Sequence, residues 1–341
     1  MIDLKSMLPE ELEAYIQSIG QPKFRAGQIF SWLSRGARSF DEMSNLPKPL
    51  REKLAEECYV NSLTCLRKQI SAVDGTVKFL WELRDGNAVE TVVMRYSHGL
   101  TVCISSQVGC RMGCAFCAST IGGLVRNLTP SEMLDEVLYS QTEMGEKISN
   151  IVIMGIGEPL DNYDNVLQFL RLVNRPEGLN VGMRHVSLST CGLTERIRDL
   201  AKEDLQLTLA ISLHAPDDET RTRLMPANRG RGVEEILRCC RDYFDATGRR
   251  ITFEYAMIDG INDSPTQAVK LAEIARRAKA HVNLIPLNHV EERQFRPSAP
   301  ERMKAFCRKL EEKQVNYTVR RSLGGDIDSS CGQLRRKYEG V

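Results

Sequence analysis

Thr101-Val-Cys103-Ile-Ser-Ser-Gln-Val-Gly-Cys110-Arg-Met-Gly-Cys114-Ala-Phe-Cys117 decides how the rest of the chain is read. Thr101 to Ser106 has the apolar character of a short buried strand, and a cysteine-rich loop follows it directly. Parallel β/α barrels display their chemistry on loops that leave the C-terminal ends of their strands. Thiolates at the CxxxCxxC spacing of Cys110, Cys114 and Cys117 can each take one iron of a 4Fe-4S cubane and leave the fourth iron open. The plainer readings are a structural zinc site, which usually needs a fourth Cys or His at matching spacing, or three unrelated buried thiols. The chain has no second CxxC pair, which favours the cubane.

Downstream of this loop, apolar strand-like runs alternate with amphipathic stretches. Strands are expected at Asn150 to Gly155, His185 to Thr190, Leu207 to Leu213, Ile251 to Met257 and His281 to Leu287. Thr129-Pro-Ser-Glu132 reads as a capping box with proline at the first helical position. With Thr101–Ser106 these make six βα alternations, so the expected fold is an α/β partial (β/α)6 barrel over residues 100–315. Upstream, residues 1–99 read as a small accessory domain. Short helices lie around Leu8–Ile16, Phe24–Leu33 and Leu50–Leu54, and extended segments flank an Arg84-Asp-Gly-Asn turn. Residues 316–341 form a last strand and a Gly-rich tail carrying Cys331.

The bulk numbers are consistent with this. At 341 residues, with 42% hydrophobic and 27% charged residues, the chain can bury a large core without disulfides. No apolar run approaches the roughly 18 to 20 residues of a membrane helix. Met1-Ile-Asp-Leu-Lys lacks the pattern of a secretory signal, so a cytoplasmic protein is expected, with no membrane partner. Eleven cysteines, an odd number, point to metal or redox chemistry before a disulfide scaffold. A net charge of +1 means that any nucleic acid must be met by local basic patches. Arg221 to Arg231, Arg320-Arg321 and Arg335-Arg336-Lys337 are the candidates.

An open iron can chelate the amino and carboxylate groups of S-adenosylmethionine (SAM) and set its sulfonium beside a reductant. Gly155-Ile-Gly157-Glu158-Pro159, closing the second barrel strand, would let the backbone approach that amino group. A tight strand-to-helix turn explains the same glycines. Ser189, Ser212, His214 and Asn288 stand at or near strand ends, where they can meet the rest of the cofactor or serve as ordinary caps.

Six motifs together resemble one family: Cys103 through Cys117, Met154-Gly-Ile-Gly-Glu-Pro, Leu188-Ser-Thr-Cys-Gly, Ile211-Ser-Leu-His-Ala-Pro, Asn283-Leu-Ile-Pro-Leu-Asn288 and Gly325-Asp-Ile-Asp-Ser-Ser-Cys331-Gly. The chain resembles, over nearly its whole length, the RlmN/Cfr family of radical SAM RNA methyltransferases. Phe24-Arg-Ala-Gly-Gln-Ile and Val89-Glu-Thr-Val fit the same pattern. The resemblance implies Cys331 as methyl-carrying cysteine, Cys103 as its disulfide-forming partner and Glu90 as proton acceptor. It puts Gly157, Glu158, Ser189, Ser212, Leu213, His214 and Asn288 at SAM-binding positions. Ser329-Ser330 replace the usual alanines, and Cys191 stands where serine is common.

The activity so implied is methylation of adenine C2 in 23S rRNA, at the peptidyl transferase centre, and of adenine 37 in tRNA. It uses two SAM molecules per turnover and a 4Fe-4S cluster reduced by a donor such as flavodoxin or ferredoxin, and the enzyme is expected to be a monomer. Carbon 2 lies between two ring nitrogens and is no nucleophile, so polar displacement fails and a radical route is needed. The sister branch, acting at C8 with the same cysteines, is the alternative. A non-catalytic iron-sulfur electron carrier or RNA-binding protein is the alternative of a different class. Without the resemblance, Cys331, Cys103 and Glu90 read equally as a surface thiol, a strand core residue and a solvated carboxylate.

Overall fold

A computed structural model describes residues 1–288, 290, 292–328 and 332–339. The first helices, α1 (Pro9–Ser18), α2 (Phe24–Ser34) and α3 (Lys48–Glu57), bury residues four apart into a core of their own: Leu12 with Ile16, Ile29 with Leu33, and Leu50 with Leu54. Two short parallel strands, β1 (Ile2–Asp3) and β2 (Cys58–Tyr59), close this module.

The chain then enters a sheet of ten strands. β3 (Thr64–Ile70), β4 (Val77–Glu82) and β5 (Ala88–Tyr96) form an antiparallel ribbon, and β5 pairs antiparallel with β6 (Gly99–Ile104). A small antiparallel pair, β7 (Gln107–Gly109) and β8 (Leu124–Asn127), brackets the cysteine loop. α4 (Pro130–Met144) follows, started by the expected capping box: Thr129 Oγ1 accepts from the Glu132 N–H, and the Thr129 N–H donates to the Glu132 carboxylate at 2.9 Å.

Parallel strands and helices then alternate. β9 (Ile148–Ile153), α5 (Tyr163–Asn174), β10 (Val186–Thr190), α6 (Thr194–Ala201) and β11 (Thr208–Ser212) lead to α7 (Asp218–Leu224) and α8 (Val233–Thr247). β12 (Thr252–Met257), α9 (Pro265–Arg277), β13 (His281–Pro286), α10 (Pro300–Glu312), β14 (Tyr317–Val319) and α11 (Gln333–Glu339) complete the chain. β6 and β9 to β13 are the six parallel strands of the partial barrel, in sequence order. β14 adds a short parallel edge beside β13. The ribbon β3–β5 shares the sheet with the barrel, so residue 99 sits at a hairpin between paired strands and not in a linker.

Leu188, Leu209, Ile211, Phe253, Tyr255, Val282 and Leu284 are all fully buried in the main hydrophobic core. On three of the strands the residue following a core residue is polar and turns to the other face: Ser189, Ser212 and Glu254 line a cavity. The barrel interior is therefore a chamber with polar groups set into its wall. A fully buried Lys5 joins the helical module to the barrel, with Nζ 2.7 Å from both the Asn61 carbonyl and the Asp135 carboxylate on α4.

Candidate active site

One cavity of about 360 Å³ gathers most of the residues singled out from the sequence. Cys103, Cys110, Cys114, Cys117, Gly157, Glu158, Ser189, Ser212, His214 and Asn288 all line it. Leu213 does not: it is fully buried, and its main chain joins its neighbours to the wall.

The cysteine loop forms the upper wall. Gly109 and Gly113 take left-handed backbone at its start, and the Cys110 N–H donates to the Gly123 carbonyl where the loop closes. Burial pushes the Cys110 thiol up to about 12 and the Cys114 thiol upward too, reinforced at Cys114 by the neighbouring Cys117 and Cys110. Apolar surroundings of this kind keep bare thiols protonated, and a bound cation reverses that preference. Among the described residues no three His, Cys, Asp or Glu side chains converge on one point able to hold a single metal ion. Three thiols on one loop, all lining the same cavity, suit a cubane in which each thiolate takes its own iron.

Glu158 forms the next part of the wall. Gly157 has φ +112°, and a side chain there would collide with Gln107 and Ser106 at 2.7 Å. Glycine is therefore demanded by this chain's own packing, which lets the Gln107 side chain accept from the Glu158 N–H at 2.9 Å. The buried Glu158 carboxylate accepts from the Cys191 N–H (2.7 Å) and the Leu160 N–H (3.1 Å). Desolvation raises its affinity for a proton and these bonds oppose the rise.

Ser189 and Ser212 lie 3.2 Å apart across β10 and β11. His214, just beyond β11, adopts left-handed backbone at φ +56°, an unusual state for a residue with a Cβ. Its Nδ1 accepts the Ala256 N–H at 2.9 Å, which leaves Nε2 carrying the proton. Desolvation, with the charge of Arg221 behind it, pushes the ring down to about 3, so it is a neutral hydrogen-bond donor. Phe116 of the cysteine loop meets it edge-on at 5.0 Å.

Sequence reasoning missed the residue that holds these strand ends together. Arg221 was grouped with the basic surface patch, yet it is fully buried. Its guanidinium donates to the carbonyls of Leu213 (3.1 Å), Cys191 (2.6 Å) and Ser212 (3.2 Å) and to Asn228 Oδ1 (2.5 Å). The signal that separates it from Arg223 is helical phase: Arg221 shares the inward face of α7 with Leu224, three residues on. Glu254, cross-strand from Ser212 and bonded to Asn283 at 2.9 Å, is a second buried carboxylate of the wall that the motifs did not flag. Cys191, which stands where serine is common, lines the cavity beside Glu158.

The remaining expectations divide. Arg320 and Arg321 line the cavity, whereas Arg231 is paired with Glu195 in a separate polar groove shared with Arg111 and Arg196. Glu90 lies outside the cavity lining. It is buried, 2.8 Å from Lys78 Nζ, and accepts from the Gly332 N–H (2.6 Å) and the Arg335 N–H (2.7 Å). Cys331 lies outside the described residues.

Residues 104–272 match the model of the radical SAM superfamily, and residues 2–60 match the ribosomal RNA large subunit methyltransferase N-terminal domain. A probable dual-specificity RNA methyltransferase RlmN of Desulforamulus reducens is 52% identical over 99% of this chain and 97% of its own length. The protein of the same name from Alkaliphilus oremlandii is 50% identical over 99% and 98%. The crystal structure of a radical SAM methyltransferase from Sphaerobacter thermophilus superposes with a TM-score of 0.92 at 43% identity, covering 98% of this chain and 99% of that one.

Proposed function

Because the chain belongs to the RlmN family of radical SAM methyltransferases, we propose that it is a dual-specificity RNA methyltransferase acting on C2 of adenine in 23S rRNA and tRNA. The observation that carries this reading is one shared cavity: three cluster-type thiols, Cys103 and the residues at SAM-binding positions other than Leu213 open onto it. Cys110, Cys114 and Cys117 would hold the 4Fe-4S cluster. When bound and reduced, that cluster supplies the electron that cleaves SAM to a 5'-deoxyadenosyl radical.

The chain's own groups do the rest. Glu158, Ser189, Ser212 and Asn288 offer the polar surface for SAM, and His214 offers a neutral N–H donor. The desolvated wall excludes water from a radical intermediate. Cys331, as a thiolate and good nucleophile, takes the methyl group of one SAM and releases S-adenosylhomocysteine. The 5'-deoxyadenosyl radical from a second SAM removes a hydrogen from that S-methyl group, and the resulting S-methylene carbon bonds to the ring carbon, the adduct then giving back one electron. Glu90 accepts the ring proton after the adduct forms. The Cys103 thiolate then attacks the adduct's sulfur, breaking its bond to the methylene carbon, which takes up a proton to become the methyl group of the released RNA. A Cys103–Cys331 disulfide is left for an external reductant. A target adenine must leave its stack to reach the chamber, and the charges of Arg320 and Arg321, which line it, would meet its phosphates. A one-electron protein donor, action as a monomer and a cytoplasmic location complete the reading; no helix among the described residues is long and apolar enough to cross a membrane.

Mass mapping of nucleosides from rRNA and tRNA treated with the reconstituted enzyme tests it. The expected product is 2-methyladenosine; 8-methyladenosine, or no methylated adenosine, overturns it. In the same assay Cys103→Ala is expected to accumulate a covalent RNA–protein adduct, and free methylated RNA at the wild-type rate would remove Cys103 from the reaction.

A further inference from the structure

Strands β4 and β5 alternate cleanly. Val77, Phe79, Trp81, Val89 and Val93 face the main hydrophobic core. The opposite face carries Lys78, Leu80, Ala88, Glu90, Val92 and Met94. Lys78 pairs in register with Val92, and Leu80 with Glu90, so Lys78 and Glu90 are diagonal neighbours across two strands. Val92 is in turn paired with Cys103 on β6. The two charged residues therefore share one sheet face with Cys103, Glu90 on the neighbouring strand and Lys78 one strand further.

That face is covered by the C-terminal tail. Leu334 is fully buried against Leu80 and Ala88. Gly324 N–H donates to Asp74 at 2.8 Å, and Asp326 accepts from the Ser71 hydroxyl (2.5 Å) and the Ala72 N–H (2.8 Å). Gln69 exchanges two hydrogen bonds with Asp328, at 3.1 and 3.2 Å. At the centre, Lys78 Nζ donates to the Asp328 carbonyl at 2.5 Å while paired with Glu90. Glu90 in turn accepts the N–H groups of Gly332 and Arg335, at the start of α11. One buried ion pair thus grips the main chain at residue 328 on one side of position 331 and at residue 332 on the other.

A lysine with no exposed surface is unusual, and burying an ion pair seldom adds net stability over an apolar pair. Apolar residues would cover this face equally well. What they could not do is take a carbonyl and two amides of the tail in fixed directions. We propose that Lys78 is a positioning residue for the methyl-carrying cysteine: its ammonium, through Glu90 and the Asp328 carbonyl, clamps the tail on both sides of position 331 against the sheet face that bears Cys103. The proposal rests on the reading of Cys331 as methyl carrier.

The test uses the full-length, cluster-reconstituted protein and three readouts: 5'-deoxyadenosine formed from SAM without RNA, methylation of the Cys331 peptide by mass spectrometry, and amide exchange at Gly332 and Arg335. Lys78→Gln is expected to slow methylation of Cys331 at least tenfold and to speed exchange at both amides. Its 5'-deoxyadenosine yield should stay within twofold of wild type, because the cavity wall does not depend on the clamp. Lys78→Arg, which keeps the charge, should recover most of the methylation. Wild-type methylation by Lys78→Gln overturns the proposal, as does a parallel fall in methylation and SAM cleavage, which is what general structural damage produces. If the wild-type protein itself never carries a methyl group on Cys331, the carrier reading fails, and exchange at the two amides still decides whether the clamp exists.

Discussion

The strand-end wall of the cavity and the tail that crosses the neighbouring ribbon are built on different physical terms. The strand-end wall, from Glu158 through Ser189, Ser212 and His214, is fixed largely by buried hydrogen bonds into the main chain, with Arg221 joining the ends of two neighbouring strands. The tail is held by side chains gripping a strap that crosses the β3–β5 ribbon, centred on Lys78 and Glu90. A wall that binds a cofactor gains from having one conformation. Under the proposed reaction the tail carries a group, reacts and is released, which calls for contacts that hold it in place and can also be broken. The predictions that follow from this contrast place large stability costs in the wall and changes of placement in the strap.

The largest effect is expected from Arg221→Met. It leaves the buried carbonyls of Leu213, Cys191 and Ser212 without their donor, a loss of about 3 kcal/mol or more in unfolding free energy. Urea denaturation measures it. A cost under about 1 kcal/mol would mean that the strand ends hold themselves, and the contrast between the two regions would disappear.

Acid should loosen the wall before the strap. In the fold, His214 resists protonation down to about pH 3, while in the unfolded chain it takes a proton near its ordinary value of about 6.5. Between those values the unfolded state binds more protons, so stability falls as the pH falls. A drop from pH 7 to 4.5 is expected to cost about 2–3 kcal/mol at this site, and urea midpoints of the wild type and His214→Gln should converge over that range. The Asp326 carboxyl of the strap is held below its ordinary value by the Ser71 hydroxyl. Its contribution is therefore present above the ordinary carboxylate range and is lost only below it, at lower pH than most of the His214 effect.

The smallest effect belongs to the strap's outer anchor. Asp326→Asn weakens an exposed attachment to Ser71 and Ala72, and amide exchange across residues 324–328 should rise about two- to fivefold with no change in the urea midpoint. A shift of that midpoint as large as the one produced by Arg221→Met would show that the strap is as integral to the fold as the wall.

Much of this was legible in the sequence because it rests on local rules. The barrel strands announced themselves as apolar runs, and α4 by its capping box, which forms as written. The cluster loop and the residues at strand ends were visible because a parallel barrel sends such positions to one mouth. Arg221 was not, since an arginine among arginines reads as surface until the phase of a short helix turns it inward. The Lys78–Glu90 pair was hidden for another reason. Their strands read as a solvated hairpin, and only the return of a tail some 240 residues distant buries that face. Local patterning cannot register a contact of such sequence separation. β14 likewise becomes part of the parallel sheet only through its pairing with β13.

The most direct test of the central claim is anaerobic reconstitution of the protein with iron and sulfide, followed by reduction in the presence of SAM. About four irons per chain and the formation of 5'-deoxyadenosine are predicted, with both lost in Cys114→Ala. Stoichiometric zinc in that loop, or an intact iron-sulfur cluster that leaves SAM uncleaved, would contradict it.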